Sequence, residues 1–411
     1  MSSEWVSCTL GDILTLQRGM DLPVQDRTNG NYPVVASTGI VGFHTEGPVK
    51  GPGVVIGRSG SIGGGQFIDQ DFWPLNTTLW VKDFKGNDPR YCYYLLKSID
   101  FKSMNAGSGV PTLNRNHLHP MAAVKAPLKA QKAIAGVLGD LDDRITLLRE
   151  TNTTLETIAQ ALFKSWFVDF DPVHAKMQGR VPEGMDQATA ALFPDSFEES
   201  ELGPVPKGWR IGSVEDLCST ITNGGTPSRS KPVFWEGGSI PWFKTGEFHD
   251  GFLLKASEFI TGDALNGSSV KLLPKDAVLM AIYAAPTVGR LGILTEPATF
   301  NQACTGMVAK ADIGPWFLFW TLFNGRDWFN SRANGAAQQN ISKAIVAAYR
   351  LVVPANSLLA AFNNSASSLH DSIRLNSEKA QTLSALRDTL LPRLISGQLR
   401  IPKTRTEMES V

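Results

Sequence analysis

The longest regular pattern of the chain lies at residues 127–170, PLKAQKAIAGVLGDLDDRITLLRETNTTLETIAQALFKSWFVDF. Apolar residues recur there every seven positions, and a second stripe runs four residues behind the first. The first stripe contains Ile134, Leu141, Leu148, Leu155 and Leu162, and the second contains Leu138, Ile145, Asn152, Ala159 and Trp166. Spacing of this kind, sustained over so many turns, predicts one helix that packs along its whole length against another helix.

A second stretch near the C-terminus repeats the pattern. Residues 112–163 correspond to residues 340–391 with a shift of about 228, as in Ile145 and Ile373. The apolar positions of the second stretch are Phe362, Leu369, Asn376, Leu383 and Leu390, with Ala366, Ile373, Ala380 and Leu394 on the neighbouring stripe. The chain is therefore a tandem duplication, and we expect its two helices to pair with each other.

The two helices predict a rigid spacer. About forty helical residues span roughly 60 Å at 1.5 Å per residue. Antiparallel pairing would return the C-terminus towards the N-terminal part and give a two-headed molecule with pseudo-twofold symmetry. Asn152 and Asn376 interrupt the apolar stripes, and a polar residue in such a seam can fix the register of the helices. The alternative is that each asparagine lies at the edge of the seam, in contact with water.

Each copy begins with a globular head. The heads are rich in Gly, Pro, aromatic and β-branched residues, with short alternating runs, which predicts mixed, mainly β domains with long loops and a few helices, for instance at 89–98 and 315–324. Because Trp5 and Trp209 are only 204 residues apart, we expect the insertions of the second copy in its head. The fold class is α+β. The predicted segments are head one at 1–126, helix one at 127–170, an extended, partly ordered connector at 171–207 whose only helical signal is at 185–192, head two at 208–355, helix two at 356–400 and a tail at 401–411.

Composition indicates an ordinary globular protein with room for two or more cores. The 411 residues are 42% hydrophobic and 19% charged, with a net charge of zero and a pI near 7.0. The neutral balance argues mildly against non-specific nucleic-acid binding by this chain alone. Four scattered cysteines, no signal-like start and no long apolar run favour a cytoplasmic location.

One candidate binding loop recurs in both heads. Gly57–Gly65 follows a predicted strand in head one, and Ala284–Gly292 follows the corresponding strand in head two. Such loops form backbone nests in which an arginine can meet a phosphate or a base edge. The alternative is a tight turn with a solvated arginine. The candidate DNA contacts here are Arg58, Ser59, Ser61 and Arg290.

A second recurring loop lies before the last strand of each head. It offers amides, hydroxyls and cations over a Gly-rich backbone, and these groups can bond adenine or guanine edges. The candidates are Thr112, Asn114 and Arg115 in head one, and Gln338, Gln339, Asn340, Ser342 and Lys343 in head two. The alternative is that these residues cap short helices.

A third candidate stretch is residues 242–246 of head two. Lys244, with Thr245, is placed to contact phosphate, whereas the neighbouring aromatic residues are expected in the core.

The sequence predicts no catalytic centre and no metal site. The Asn-Pro-Pro-Tyr/Phe motif of amino-group methyl transfer is absent, and so is a Gly-rich cofactor loop. Residues 194–200 contain acids but no lysine beside the second one, which excludes a nuclease-like carboxylate pair. The six histidines show no metal-ligand spacing with acids or cysteines.

Specific segments nevertheless resemble a known family. Helix one opens with PLKAQKAI at 127–134 and closes with LFKSWFVDFDP at 162–172, the connector contains LFPDSF at 192–197, and Gly208-Trp209 opens head two. Together with the two-headed plan, these segments resemble the DNA-specificity subunit of type I restriction–modification systems over essentially the whole chain. One departure is that helix two opens with PANSL at 354–358, without the usual Glu-Gln pair.

The resemblance implies a non-catalytic DNA-binding subunit. Each head would read one half of a bipartite double-stranded DNA target. Two modification subunits, which use S-adenosylmethionine to methylate adenine, would bind the spacer helices, and restriction subunits would translocate and cut DNA with ATP and Mg²⁺. This chain itself would bind no cofactor. The alternative is a two-headed scaffold or adaptor whose heads bind a ligand other than DNA.

Overall fold

A computed structural model of the protein describes residues 5–104, 112–283, 287–333 and 340–401. The chain forms two compact units. Unit 1 contains residues up to 148 together with those from 379 onward, and unit 2 contains residues 149–378. Each unit thus combines one head with part of both long helices, so the division falls within the helices rather than at the head–helix junctions.

The predicted helices are present. The two longest have 40 residues each, and the predicted short helices at 89–98 and 315–324 are also found. The α-helices of the described residues are α1 Leu10–Ile13, α2 Pro89–Lys97, α3 Arg115–Leu118, α4 Leu128–Phe167, α5 Asp171–Met177, α6 Gln187–Ala191, α7 Val214–Leu217, α8 Gly262–Gly267, α9 Pro315–Asn324, α10 Arg326–Ser331, α11 Lys343–Ala347 and α12 Asn356–Ile395. Short 3-10 turns lie at Val24–Asp26, Phe101–Met104, Pro232–Phe234 and Thr245–Glu247. No helix in this part of the chain is both long and apolar enough to cross a membrane.

Head one is built from three small sheets. Its strands are β1 Val6–Thr9, β2 Thr15–Arg18, β3 Tyr32–Ala36, β4 Gly39–His44, β5 Gly53–Gly57, β6 Gly63–Ile68, β7 Trp73–Pro74, β8 Thr78–Asp83 and β9 Ala122–Lys125. The sheets have the orders β1-β9, β2-β8-β5-β6 and β4-β3-β7. The main sheet is antiparallel, with β8 between the first strand β2 and the glycine-flanked hairpin β5-β6.

Head two repeats this plan. Its strands, with those of the connector, are β10 Phe197–Glu198, β11 Val205–Pro206, β12 Arg210–Ser213, β13 Cys218–Asn223, β14 Ile240–Phe243, β15 Gly251–Leu253, β16 Glu258–Ile260, β17 Val278–Ala281, β18 Leu291–Leu294, β19 Thr299–Phe300, β20 Cys304–Ala309 and β21 Arg350–Val353. The sheets are β12-β21, β13-β20-β17-β18-β15, β16-β14-β19 and the connector hairpin β10-β11.

The matching sheet orders confirm the α+β fold class and the duplication. Strand β15, which pairs parallel with β18, has no counterpart in head one and lies inside the head, where the sequence predicted an insertion. The heads also share a capping box at the first short helix, with Thr9 and Asp12 in one and Ser213 and Asp216 in the other.

Within unit 2, α4 and α12 pack antiparallel. Phe163 contacts Phe362 at a ring separation of 5.7 Å, while farther along the seam Asn152 meets Asn376. The Asn376 side-chain amide donates to Asn152 Oδ1 at 3.0 Å, and the Asn152 amide donates to the carbonyl of Ile373 at 3.1 Å. The two asparagines thus bond each other across the seam, which supports the register hypothesis over the solvated alternative.

Within unit 1, an ion pair joins the same two helices. Asp142 of α4 accepts from Arg387 of α12 at 2.5 Å and from the Tyr94 hydroxyl of α2 at 2.8 Å. Burial is the main reason why the pKa of Tyr94 is raised, and its bond to Asp142 adds to the effect. Arg90 of α2 pairs with Asp143. Head one is therefore fixed to the helices of its unit by polar contacts.

A buried glutamine strengthens this attachment. Gln131, in the first turn of α4, is fully buried, accepts from the Asp88 backbone N–H at 2.9 Å and donates to Asn87 Oδ1 and to the Ala126 carbonyl at 2.8 Å. In unit 2, α12 opens instead with the buried pair Leu358-Leu359. The start of α12, which lacks the Glu-Gln pair, is therefore buried through apolar side chains, whereas the start of α4 makes buried hydrogen bonds.

Aromatic packing replaces the charges in unit 2. His370 of α12 is 4% exposed, stacks on Trp316 of α9 at 3.7 Å and forms a hydrogen bond of 2.8 Å between Nδ1 and the Ala366 carbonyl. Because a carbonyl only accepts, Nδ1 is the donor. Burial lowers the pKa of His370 to about 4, so this contact is neutral at pH 7.

The connector contains more regular structure than the sequence predicts. The one helical signal, at 185–192, is confirmed by α6. Helix α5 and the β10-β11 hairpin are additional elements of residues 171–207. Phe193 and Val173 are buried in the core of unit 2, where Phe193 contacts Trp166 edge-on at 5.2 Å. These additional elements were missed because the Pro- and Gly-rich composition conceals apolar residues that pack onto the core.

We predict that the Asn152–Asn376 pair is energetically coupled. Asn152→Leu should destabilise the protein by about 1–3 kcal/mol, because it leaves a half-buried amide on Asn376 without its acceptor. The double variant Asn152→Leu/Asn376→Leu should lose less than the sum of the two single variants. Urea unfolding of the four proteins measures the coupling, and strictly additive losses would contradict the pairing.

Candidate nucleic-acid interface

The two recurring loops of head one lie side by side. The Leu113 N–H donates to the Arg58 carbonyl at 2.8 Å, and Ser59 forms a β-bridge with Thr112. Gly57 is required at this point, since a Cβ there would lie 1.8 Å from the Ser61 carbonyl oxygen. The close turn after β5 and the segment before α3 therefore form one surface.

This surface is the wall of an open groove, here called groove one, of about 710 Å³. Residues from β2, from β8, from the turn after β5 and from the start of α3 line it. Its main polar side chains are Gln17, Arg18, Arg58, Lys82, Asn114 and Arg115. No carboxylate is found among the residues that line it, so the groove is strongly basic.

The four cations of groove one, Arg18, Arg58, Lys82 and Arg115, are available to a ligand. Among the described residues none of them forms an ion pair. Arg18, Lys82 and Arg115 are exposed, and Arg58 is half-buried with Nη1 3.4 Å from the Asn76 carbonyl. Four unpaired cations around a cleft favour a polyanionic ligand.

A histidine holds α3 against the sheet beside the groove. His119 Nε2 accepts a hydrogen bond from the Leu16 N–H of β2 at 2.9 Å, which requires the neutral ring. The pKa of His119 is lowered, first by desolvation and then by the charges of Arg115 and Lys85. The ring therefore serves to position Arg115 next to Arg18.

Head two has a groove beside the equivalent short helix, but it lies at the start of β13, whereas groove one lies at the end of β2. The Ile341 N–H donates to the Ile282 carbonyl at 2.8 Å and Tyr283 forms a bridge with Asn340, which repeats the Leu113 and Thr112 pattern of head one. This groove two, of about 450 Å³, lies between β13 and α11. Its main polar side chains are Ser213, Glu215, Ser219, Thr220 and Lys343.

The sequence candidates divide into groups. Arg58, Thr112, Asn114 and Arg115 line groove one, and Lys343 lines groove two. Ser59 and Ser61 lie in the turn that closes groove one but do not line it. Asn340 and Ser342 precede Lys343 in the chain and do not line groove two, whereas Gln338 and Gln339 lie outside the described residues.

Two candidates serve as helix caps. Asn114 accepts from the Asn116 N–H at 3.0 Å at the start of α3, and Ser342 accepts from the Ile345 N–H at 3.2 Å at the start of α11. These two side-chain oxygens therefore cap helices, which was the alternative interpretation of the second recurring loop. Their role is to set the direction of Arg115 and Lys343, the first residues of the two helices.

The candidates Lys244, Thr245 and Arg290 lie away from the two grooves. Lys244 Nζ pairs at 2.6 Å with Glu258, a carboxylate that it shares with Arg229, and Thr245 begins a 3-10 turn. The neighbouring Trp242 and Phe243 are buried, as expected. Arg290 directly precedes β18, whereas Arg58 directly follows β5, so the two arginines occupy opposite ends of equivalent loops.

Sequence reasoning missed the contributions of the strands. Gln17, Arg18 and Lys82 of groove one, and Ser219 and Thr220 of groove two, lie on β2, β8 and β13. The available signal was a polar residue at the end of an alternating run, as in TLQR and TLWVKD. That signal becomes specific only when β2 and β8 are known to be neighbours.

Comparison with known proteins agrees with this organisation. A family model described as type I restriction modification DNA specificity domain matches residues 2–157 and again 206–357. The specificity subunit of type I restriction enzyme HindI from Haemophilus influenzae is 27% identical over 385 residues, which cover 81% of this chain and 83% of that protein. The MjaIX specificity subunit of Methanocaldococcus jannaschii is 23% identical over 338 residues, with coverage of 80% and 74%.

A solved structure has the same fold. The S subunit of the type I restriction–modification system of M. genitalium superposes with a TM-score of 0.60 at 15% identity, over 95% of this chain and 96% of that one. Since the family model covers both heads and most of the chain, this protein belongs to the family of type I restriction–modification DNA-specificity subunits.

Proposed function

We propose that this chain is the DNA-specificity subunit of a type I restriction–modification complex, in which each head reads one half of a bipartite target and the paired helices fix the unread gap. The chain is non-catalytic. Adenine methylation with S-adenosylmethionine, and ATP- and Mg²⁺-dependent translocation and cleavage, are the work of partner subunits.

One observation carries the proposal above all others. Both heads repeat the same sheet order, and in both the turn after the equivalent strand, β5 or β17, bonds the segment before the short helix in the same way, through Leu113 to Arg58 and Ile341 to Ile282. A DNA duplex has a twofold symmetric backbone, so two equivalent heads can approach successive major-groove segments in the same way. The unpaired cations of groove one favour a polyanion over the neutral ligands of an adaptor.

Partner subunits have two equivalent surfaces available on the helices. Leu147 and Ile158 of α4 are 63% and 48% exposed, and Leu375 and Leu386 of α12 are 45% and 46% exposed. Leu147 and Leu375 are related by the repeat shift of 228, and so are Ile158 and Leu386. Exposed apolar residues at equivalent positions favour two copies of one partner, which we identify as the modification subunit.

Charged substitutions at these exposed leucines test whether the modification subunit binds there. Leu147→Glu together with Leu375→Glu should abolish co-purification of the modification subunit, because a carboxylate would be desolvated in each contact. The matched control is Thr153→Glu with Gln381→Glu, an exposed repeat-related pair six residues farther along and about 120° around each helix. Wild-type co-purification by the leucine variants would contradict this surface.

The division of labour between the heads predicts a half-site exchange. Replacing residues 1–126 with head one of another family member should change one half of the methylated target and leave the other half and the gap unchanged. The replacement head must retain an apolar face for Leu391 and Leu394, which complete the core of unit 1. Mapping methylated adenines in cells that carry the complete system gives the target of each version.

Three results are distinguishable in that experiment. A change in one half-site supports independent heads. A change in both halves would contradict independent reading. Absence of any sequence-specific methylation directed by the wild-type chain with its partners would favour the adaptor alternative.

A further inference from the structure

We propose that the two heads bind DNA through different interactions. Cations of head one bind backbone phosphates, which makes its affinity depend on salt, and head two binds its half-site largely through uncharged contacts. This inference rests on the proposed DNA-reading function. It assigns Arg18 and Lys82, neither of which the sequence marked, as phosphate-binding residues.

Strand register shows which residues are equivalent in the two heads. In head one, Val55 pairs with Trp80 and Gly57 with Thr78; in head two, Leu279 pairs with Gly306 and Ala281 with Cys304. The central strands β8 and β20 are therefore aligned from Thr78 and Cys304 onward. Counted along the strand, Lys82 of β8 takes the position of Val308 of β20, but Lys82 is the extra residue of a bulge between Val81 and Asp83, whereas Val308 pairs with Thr220.

The first strands align in the same way. Arg18 lies opposite Leu79, the residue after Thr78, and Asn223 lies opposite Thr305, the residue after Cys304. Arg18 of head one is thus the counterpart of Asn223 of head two. The backbone bonds from Leu113 to Arg58 and from Ile341 to Ile282 make Ile282 the counterpart of Arg58.

Only one of the four cations is retained. Arg18, Lys82 and Arg58 are replaced by Asn223, Val308 and Ile282, and Arg115 alone has a basic counterpart in Lys343. The four positions that carry the cations of groove one therefore hold four positive charges in head one and one in head two. Lys343 lines groove two, whereas Asn223, Val308 and Ile282 do not.

The segments that adjoin Thr112, Tyr283 and Asn340 in the sequence do not alter this balance. Residues 105–111 of head one, and 284–286 and 334–339 of head two, contain no ionisable side chain. Elsewhere in head two, Arg326 pairs with Asp250, and Arg229 and Lys244 share the single carboxylate of Glu258, which does not line either groove. The asymmetry between the equivalent positions therefore follows from the sequence itself once the strand register is known.

The consequence is measurable as salt dependence. Each phosphate contact made by a cation contributes about 0.9 to the slope of log K against log salt concentration. Removing cations from head one should flatten this slope, while neutral contacts of head two should contribute to base selectivity without steepening it.

The test exchanges equivalent residues. The full chain, assembled with its modification partner, is titrated with a fluorescent duplex that carries the target found by methylation mapping, at several salt concentrations. Arg18→Asn with Lys82→Val gives head one the residues of head two and should lower the slope by about 2. Asn223→Arg makes the reverse change in head two and should raise the slope by about 1.

A conservative variant and a matched control complete the test. Arg18→Gln with Lys82→Gln should give the same loss of slope if the first variant folds poorly, as judged by its thermal melting. Lys343→Gln should lower the slope by no more than about 1.

The possible failures differ. An unchanged slope in both folded head-one variants, or a loss in Lys343→Gln as large as in the double variants, would overturn the asymmetry while leaving DNA recognition intact. If the wild-type assembly does not distinguish the target duplex from a scrambled duplex at any salt concentration, the proposed function itself fails.

Discussion

The antiparallel pairing of α4 and α12 is the constraint on which the rest of this protein depends. Neither head completes its core with its own strands. In unit 1 the head packs on Ile134 and Leu138 of α4 and on Leu391 and Leu394 of α12. In unit 2 the head packs on Phe163 and Trp166 of α4 and on Phe362 and Ala366 of α12. Helix register therefore sets the position of each head's core, and the Asn152–Asn376 pair fixes that register in unit 2.

The two copies share their strand order and helix positions but differ in the side chains at equivalent positions. The main sheets have the same order up to the added strand β15, and each head packs a short helix that begins with proline, α2 or α9, near the long helices. In unit 1 this contact is built from Asp142, Tyr94 and Arg387, and in unit 2 from His370 and tryptophans. The positions of the groove-one cations differ in the same manner, since only Arg115 has a basic counterpart in head two, Lys343. Divergence of side chains on a fixed backbone is what two independent half-sites would require.

The helices could be predicted from the sequence because their signal is local. Seven-residue spacing marked α4 and α12, and proline-led apolar runs marked α2 and α9. The grooves could be predicted only in part. Arg58 and Arg115 lie in loops that repeat, and so they were found, whereas Arg18 and Lys82 become groove residues only because β2 and β8 are neighbours in the sheet. Strand order is a non-local property that one sequence does not reveal. For the same reason, Arg58 and Arg290 were predicted to occupy equivalent positions, although they lie at opposite ends of equivalent loops.

The central claim is that helix length sets the unread gap between the two half-sites. The most direct measurement inserts one heptad into residues 134–162 of α4 and a matching heptad into the facing part of α12, and then maps the methylated target. Seven residues add about 10 Å of helix, which is roughly three base pairs at 3.4 Å per step. We expect the gap to lengthen by about that amount with both half-sites unchanged, whereas methylation of the original target with its original gap would contradict the claim.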